Sequence, residues 1–454
     1  MLEWMTLRNF RSWEHLPQLE LKPITIIFGP NSSGKTALLQ ALLMLKQTAE
    51  SNDRSLSIRY GGPYVDLGSF TDSVYDHDDT RELGAELRWK PEDDSVLRDE
   101  DDEGPSVTAD WFEYRAEWKQ AGDVALSSLT YSTDTVQFRL SRLSSGKYKP
   151  KLTSHVDIVE KRRVGRPWPL PGPESCYALP RQVAGEWPHV DLLEFNHQFE
   201  LLMDRVRYVG PLRKYPQRFY LWTGEAPGVV LPDGTGAIEA LVADARAASA
   251  DSRPRKHGLP RGLVSQAEQW LREFGLAEGF EIRPIADGAR QYEVWVRVPG
   301  SNVATLLPDV GFGVSQILPV IVQLHFAPEG SILLFEQPEI HLHPSAAARL
   351  GDLFLQVAHQ RNLQLVVETH SEYLLARLQR RMAEAEDPTS FARPQNIALY
   401  FYDLVDGASR ATQVRLNIFG EIENWPPRFF GDTMGDLQAM AQVAVRRKLK
   451  QRAS

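Results

Sequence analysis

The feature that most constrains this chain is a glycine-rich loop, Gly29-Pro30-Asn31-Ser32-Ser33-Gly34-Lys35-Thr36. The apolar run Ile24–Phe28 precedes it, and in residues 37–47 leucine and methionine recur at helical spacing. The order strand, loop, helix is the context in which such a loop binds phosphate. A second short match at residues 144–147 lacks the upstream glycine, and we assign it no function.

The residue types in this loop fit the phosphates of a nucleotide and a magnesium ion. Gly29 and Gly34 permit the sharp turn that points backbone N–H groups inward, and the helix start adds a favourable dipole. Lys35 supplies the cation for the β- and γ-phosphates, and the Thr36 hydroxyl is a ligand for Mg²⁺. The residues assigned to this nucleotide site are Asn31, Ser32, Ser33, Gly34, Lys35 and Thr36.

Three further segments in the second half of the chain extend the pattern. Residues 332–335 are apolar and end in Glu336, which predicts a strand that places a carboxylate beside the loop, where it can hold Mg²⁺. Gly311-Phe312-Gly313-Val314-Ser315-Gln316 comes shortly before it, and Glu368-Thr369-His370-Ser371 follows the next apolar run. Such runs are typical of parallel strands covered on both faces, so we predict an α/β fold.

This order resembles the ATP-binding-cassette heads of the SMC, RecF and OLD groups. In those heads a long insertion separates the phosphate loop from a signature loop, the Walker B strand and a switch histidine. The chain is similar above all to stand-alone prokaryotic AAA-family ATPases of the OLD-like branch, which carry a C-terminal domain of unknown function. They include ATPases of antiphage defence systems such as Septu. The segments that carry the resemblance are residues 9–12, 29–36, 208–213, 336–344 and 420–430.

The resemblance implies a homodimer, or a higher assembly, that holds ATP and Mg²⁺ between its subunits. Ser315 of one copy would face the γ-phosphate held by Lys35 and Thr36 of the other, and Thr36 and Glu336 would hold the metal. ATP would close the dimer, and hydrolysis would open it. By the same resemblance, the residues with nucleotide-binding or catalytic roles outside the loop are Arg11, Gly313, Ser315, Glu336 and the switch histidine His370.

One position departs from the pattern of that family. The water-activating glutamate usually follows the Walker B acid directly, and here that position is Gln337. An amide can orient water but cannot accept its proton, so we expect slow hydrolysis unless another carboxylate substitutes. Glu339 is the candidate base. The alternative makes Glu339 an interface residue beside His341 and His343, for which a metal site is the weaker interpretation.

The resemblance implies an ABC-type P-loop ATPase head, and the patterning of the sequence adds a β-rich insert and a small helical subdomain to it. Apolar residues at helical spacing predict helices over residues 237–248 and 263–274. Heptads are not sustained, so we expect no long coiled coil. The predicted parts are an N-terminal ATPase lobe (1–80), a β-rich insert with a connector (81–200), linker strands with the helical subdomain (201–300), a C-terminal ATPase lobe (301–400) and a C-terminal segment of unknown function (401–454).

The charge balance bears on nucleic-acid binding. With 51 basic and 60 acidic residues the formal charge is −9, so DNA would have to bind a local basic surface. An acidic run at residues 92–103 is interpreted as a solvated loop. The basic residues that offer a DNA contact, with solvated charge as the alternative, are Lys147, Lys149, Lys151, Lys161, Arg162, Arg163 and Arg166.

The expected compartment is the cytoplasm. No apolar run is long enough to cross a membrane, and the first residues lack the pattern of a secretory signal, so we expect no membrane association. The single cysteine, Cys176, is interpreted as structural.

We expect no nuclease within this chain. The part after His370 is short for a further catalytic domain, and Asp403 and Asp406 fit a hairpin turn. By resemblance to defence ATPases, the effector would be a separate nuclease of the HNH type, controlled by an ATP-gated switch that senses or clamps nucleic acid. The alternatives are a RecF-like DNA-binding repair ATPase without an effector and a transporter ATPase, which would need membrane partners and an intact signature that this sequence lacks.

Overall fold

The architecture is that of a computed structural model, which describes residues 1–91, 95–98, 107–154, 169–183, 187, 190–250 and 262–426. Two large sheets, one mostly parallel and one antiparallel, pack with helices in this part of the chain, so the predicted α/β class is confirmed. The helices are α1 (Lys35–Ala49), α2 (Phe70–Ser73), α3 (Glu194–Arg205), α4 (Ala237–Ala250), α5 (Leu263–Glu273), α6 (Phe312–Phe326), α7 (Pro344–Gln360) and α8 (Glu372–Ala383).

A six-stranded sheet forms the centre of the molecule. In spatial order its strands are β11 (Val206–Val209), β16 (Ile332–Glu336), β17 (Gln364–Glu368), β3 (Ile24–Phe28), β18 (Ile397–Val405) and β19 (Ala408–Val414). All neighbours are parallel except β18 and β19. Every residue of β3 and β17 is buried, as predicted for strands covered on both faces. The strand before the glycine-rich loop therefore lies between strands from the far end of the sequence.

The central sheet separates two hydrophobic cores. Successive side chains of a strand point to opposite faces. Accordingly, Ile27 belongs to the core that contains α1 and the antiparallel sheet, whereas Ile26 belongs to the core that contains α4 to α8. Helices pack on both faces of β3 for this reason, and the loop after β3 is held from both sides.

The antiparallel sheet contains the strands predicted for the β-rich insert. In spatial order its strands are β10 (Tyr148–Ser154), β9 (Val136–Arg142), β8 (Asp123–Ser132), β7 (Phe112–Ala121), β4 (Leu83–Trp89), β1 (Leu2–Phe10) and β2 (Trp13–Glu20). The insert strands thus extend a sheet that β1 and β2 begin. A short pair, β5 (Ser95–Arg98) and β6 (Val107–Ala109), lies apart. Cys176 is fully buried in the core beside this sheet, which agrees with a structural role.

The small helical subdomain combines α4 and α5 with a four-stranded sheet. Both predicted helices are confirmed to within two residues at their ends. The strands are β12 (Tyr220–Leu221), β13 (Gly279–Pro284), β14 (Gln291–Arg297) and β15 (Thr305–Leu306). The longest helix in the described part is α7, with 17 residues, so no long coiled coil occurs there. No described helix has both the length and the apolar character needed to span a bilayer.

Several predicted features lie wholly or mainly outside the described residues. They are the acidic run at 92–103, the basic residues Lys161, Arg162, Arg163 and Arg166, and the segment after residue 426. Lys147, Lys149 and Lys151 are exposed at β10 and the turn before it. The hairpin turn at Asp406-Gly407 is confirmed, with φ of 52° and 83° between β18 and β19. The division into five parts remains a prediction.

Candidate functional site

The glycine-rich loop turns between β3 and α1 on backbone conformations that few residues adopt. Ser32 and Gly34 have φ of 62° and 84°, in the left-handed region. A Cβ at Gly34 would lie 2.6 Å from Ser12 Oγ and 2.7 Å from Trp13 Nε1, so only glycine fits. Trp13 Nε1 also donates a hydrogen bond to Gly34 O at 2.9 Å. α1 begins at Lys35, and its first N–H groups have no partner within the helix.

A cleft of about 1260 Å³ opens in front of this loop. Its walls come from the loop, the ends of β16 and β17, and the turn between β18 and β19. Residues that are distant in the sequence therefore converge on one cavity. The predicted site residues that line it are Arg11, Asn31, Ser32, Gly34, Lys35, Thr36, Glu336, Gln337 and His370.

Two glutamates lie side by side in the wall of the cleft. β16 and β17 are parallel neighbours, with Glu336 opposite Glu368. The Tyr208 hydroxyl donates to Glu336 Oε2 at 2.7 Å. The Thr36 hydroxyl donates to Glu368 Oε1 at 3.2 Å, and Glu368 Oε2 is buried without a hydrogen-bond partner among the described residues. Glu368 is a site residue that the sequence prediction missed, although it ends a buried strand just as Glu336 does.

The electrostatics of this pair favour a bound cation. Burial, with a further contribution from Glu336, raises the pKa of Glu368 to about 7, and burial raises the pKa of Glu336. Burial lowers the pKa of Lys35, an effect that the two glutamates oppose. Within the described residues no cluster of three or more His, Cys, Asp or Glu side chains forms a complete metal site. Mg²⁺ needs only a few protein oxygens when phosphate and water complete its shell, so Thr36, Glu336 and Glu368 fit it.

The loop also fits phosphate. Lys35 is only 4% exposed, and its Nζ donates to Pro30 O across the loop at 2.7 Å. Ser33 Oγ is buried and has no partner in the described residues. An unpaired buried hydroxyl is costly, and a buried ammonium group needs more than one acceptor. Phosphate oxygens would supply acceptors to both groups and to the N–H groups at the start of α1.

The segment after β16 places two predicted residues, Gln337 and Glu339, differently. Gln337, with φ of 45°, lines the cleft, and its N–H donates to Glu368 O at 2.8 Å. Glu339 does not line the cleft; its Oε1 accepts a hydrogen bond from His370 N at 2.8 Å. The role of Glu339 as base therefore remains a prediction, and its contact indicates that it orients the backbone that carries His370.

Substitution Glu339→Gln separates these two roles. The amide oxygen of glutamine can still accept from His370 N, so an orienting role predicts a hydrolysis rate within about threefold of wild type. Loss of a general base would lower the rate about 100-fold or more. Steady-state phosphate release at saturating ATP measures the difference, and a loss of the larger size would assign the base to Glu339.

The rim of the cleft combines Arg11, which was predicted, with residues for which the sequence offered no signal. Arg11 Nη1 donates to Asp72 O at 3.2 Å, and burial lowers the pKa of Arg11. Asp76 and His77 both adopt left-handed φ values, of 60° and 53°. Neither a periodicity nor a spacing marks such positions in a sequence. The rim and wall residues missed by the prediction are Gln40, Asp72, Asp76, His77, Glu368 and, as a cleft residue, Asp406.

The signature residues lie outside the cleft. Gly313 and Ser315 occupy the first turn of α6, and neither lines the cavity formed by the loop. The Ser315 hydroxyl donates to Phe312 O at 3.0 Å. Phe312, in the same turn, is 51% exposed, and its ring lies 5.4 Å from that of Tyr215, which is 60% exposed. A single chain therefore brings together the phosphate loop, the two glutamates and His370, but not the signature.

Comparison with known families defines the class of the chain. Residues 1–123 match the "AAA ATPase domain" model, and residues 213–376 match the model described as "AAA domain, putative AbiEii toxin, Type IV TA system". The first contains the phosphate loop, and the second contains the signature, Glu336 and His370. Two segments of the chain thus match models of AAA ATPase domains, and such domains bind nucleotides. Residues 393–440 match "Protein of unknown function (DUF3696)", and that match includes β18 and β19.

Solved structures that resemble the chain are heads of SMC proteins. An Smc head bound to the C-winged helix domain of ScpA is 13% identical, with a TM-score of 0.47 and coverage of 91% of this chain and 98% of that one. An SMC head from Thermotoga maritima is 13% identical, with a TM-score of 0.37 and coverage of 91% and 99%. A head with an extended coiled coil, bound to the C-terminal domain of ScpA and derived from Pyrococcus furiosus, is 10% identical, with a TM-score of 0.44 and coverage of 91% and 96%. No curated protein matches the chain.

Proposed function

We propose that this chain is an ABC-type ATPase that works as an ATP-dependent dimerising switch. The observation that carries the proposal is that the phosphate-binding residues and the signature serine lie in different places on one chain. Lys35, Thr36, Glu336 and Glu368 share a cleft, while Ser315 lies outside it at the start of α6. A second copy, placed head to tail, would bring its Ser315 to the phosphates held in the first.

The surface around the signature supports self-association. Leu212, Tyr215 and Phe312 are 85%, 60% and 51% exposed, and the rings of Tyr215 and Phe312 are 5.4 Å apart. Clustered exposed apolar side chains mark interaction surfaces. A γ-phosphate bound between the two copies would hold them together, and its loss would release them.

Substitution Ser315→Arg tests the shared site. A long cation at the signature would block the approach of the partner but leave the loop of its own subunit intact. We expect ATP affinity of each subunit within about threefold of wild type, and ATP-dependent dimerisation and hydrolysis lowered about 100-fold. Equilibrium nucleotide binding, analytical ultracentrifugation and phosphate release measure the three quantities. Ser144→Arg, in the exposed turn before β10, controls for the added charge, and because Ser315 is only 8% exposed, thermal unfolding of Ser315→Arg checks that the fold is kept. Unchanged dimerisation in Ser315→Arg would contradict the shared site.

We further propose that the switch controls a separate effector nuclease, of the HNH type, in antiphage defence. Support comes from the family resemblance and from the match to a model whose description names a toxin of a type IV toxin–antitoxin system. Gln337 in place of the usual glutamate fits a switch, because slow hydrolysis prolongs the closed state.

Affinity purification of the native protein with and without ATP tests the partner. The proposal predicts a nuclease that co-purifies in a nucleotide-dependent manner. If no nuclease is recovered and the purified dimer binds DNA directly, the RecF-like repair function takes its place. Direct DNA binding would weaken with rising salt in proportion to the phosphates contacted.

A further inference from the structure

One short segment touches both the cleft and the signature helix. Tyr208, in β11, donates to Glu336 in the wall of the cleft. Five residues later, Arg213 Nη1 donates to Gln316 O of α6 at 2.9 Å. Arg213 is only 8% exposed, although arginine is rarely buried unless it is paired. Residues 208–213 therefore contact both the cleft that holds the phosphate loop and the helix that carries the signature.

The first turns of α6 depend on support from outside the helix. Pro319 lies within α6 and has no N–H, so the carbonyl of Ser315 lacks its usual helical donor. The next carbonyl, that of Gln316, receives the bond from Arg213. The side chain of Arg213 thus supports the helix one residue after the signature serine, Ser315, whose carbonyl has no donor within the helix.

Arg213 has donors that no described residue uses. Its Nε and Nη2 are buried without a hydrogen-bond partner in the described part of the chain. Burial lowers the pKa of Arg213 to about 10, and the charge of Glu339 opposes that effect. A buried guanidinium with unused donors costs folding free energy. This cost falls on a residue that contacts the signature helix through Gln316 O.

We propose that Arg213 is a positioning residue that holds the signature turn of α6 in the geometry required by the partner subunit's nucleotide. Arg213 therefore acts in trans: its loss damages the site whose Lys35 belongs to the other copy and spares the phosphate loop of its own chain. The inference rests on the proposed head-to-tail dimer.

Mixing of inactive variants of the full-length chain tests this assignment. Arg213→Gln and Lys35→Ala are each expected to lose hydrolysis, and Arg213→Gln is expected to keep ATP affinity within about threefold of wild type. In a mixed dimer the intact loop of the Arg213→Gln subunit meets the intact signature of the Lys35→Ala subunit. We expect the mixture to hydrolyse ATP about tenfold faster than either variant alone, because residues that act in different sites complement each other.

Two controls separate the failure of this inference from the failure of the dimer model. A mixture of Lys35→Ala with Ser315→Ala, which removes the signature hydroxyl without placing a cation at the dimer face, must be more active than either variant alone if the sites are shared; without recovery, the proposed dimer and the inference both fall. If that mixture is active and the Arg213→Gln mixture is not, Arg213 acts within its own cleft and only the inference is overturned. Arg218→Gln, which removes an exposed partner of Asp309, is the matched arginine control and should retain wild-type activity.

The conservative variant distinguishes positioning from folding. Arg213→Lys keeps a cation near Glu339 and one donor within reach of Gln316 O, so it should recover part of the hydrolysis rate lost in Arg213→Gln. Equal loss in both variants, with ATP affinity also lost, would mean that Arg213 is needed for the fold and would overturn the positioning role.

Discussion

Replacement of Lys35 by alanine is expected to weaken ATP binding about 100-fold and to abolish measurable hydrolysis, because charge-assisted hydrogen bonds to phosphate are the strongest contacts that the loop can offer. Lys35 is nearly inaccessible in the wall of the cleft. Its ammonium group interacts with the carboxylates of Glu368 and Glu336. Isothermal titration with ATP and Mg²⁺ measures the change.

The chain contains its own control for this experiment. Lys147 ends the sequence Ser144-Ser145-Gly146-Lys147, which looks locally like the end of the phosphate loop, but it lies exposed in the turn before β10. Lys147→Ala should leave ATP affinity unchanged. If Lys35→Ala and Lys147→Ala bound ATP equally well, the loop at residues 29–36 would not be the nucleotide site.

Substitution Glu368→Gln is expected to lower hydrolysis about 100-fold while ATP affinity changes little, because the carboxylate lies beside Thr36 and Glu336, where a metal ion or an attacking water needs negative charge. The second oxygen of Glu368 has no protein partner and remains available. Phosphate release as a function of Mg²⁺ concentration measures the rate and its metal dependence.

Glu339→Gln is the comparison for this variant, since Glu339 is a neighbouring partly buried acid that does not line the cleft. A hydrolysis loss in Glu339→Gln and none in Glu368→Gln would reverse the roles assigned to the two residues. The pair of variants thus settles which acid compensates for Gln337.

The parts of the fold that local sequence predicts are those held by local interactions. The strand, loop and helix around Lys35 follow from apolar runs, glycines and helical spacing, and the structure agrees with them. Helices α4 and α5 were predicted for the same reason. Hydrophobic periodicity reports which face of a single helix or strand is buried. It therefore predicts an element correctly where that burial alone determines the secondary structure.

The parts that escaped prediction depend on pairing across the chain. The register that sets Glu336 beside Glu368 comes from two strands separated by the whole of α7, and no property of either strand specifies it. The sequence marks Arg213 only as the end of a segment that resembles the family, and it does not predict that the side chain is buried, because an arginine in a loop is ordinarily exposed. Only the contact with Gln316 shows that it is buried against the signature helix.

The position of β3 has a consequence for synthesis of the protein. This strand is made early, yet its neighbours in the sheet, β17 and β18, are made near the end, and the turn after β18 closes one wall of the cleft. A nascent chain that has emerged only as far as α6 contains the whole glycine-rich loop but neither flanking strand. An intermediate of that length therefore cannot form the complete nucleotide pocket, which requires that β17 and β18 have also emerged.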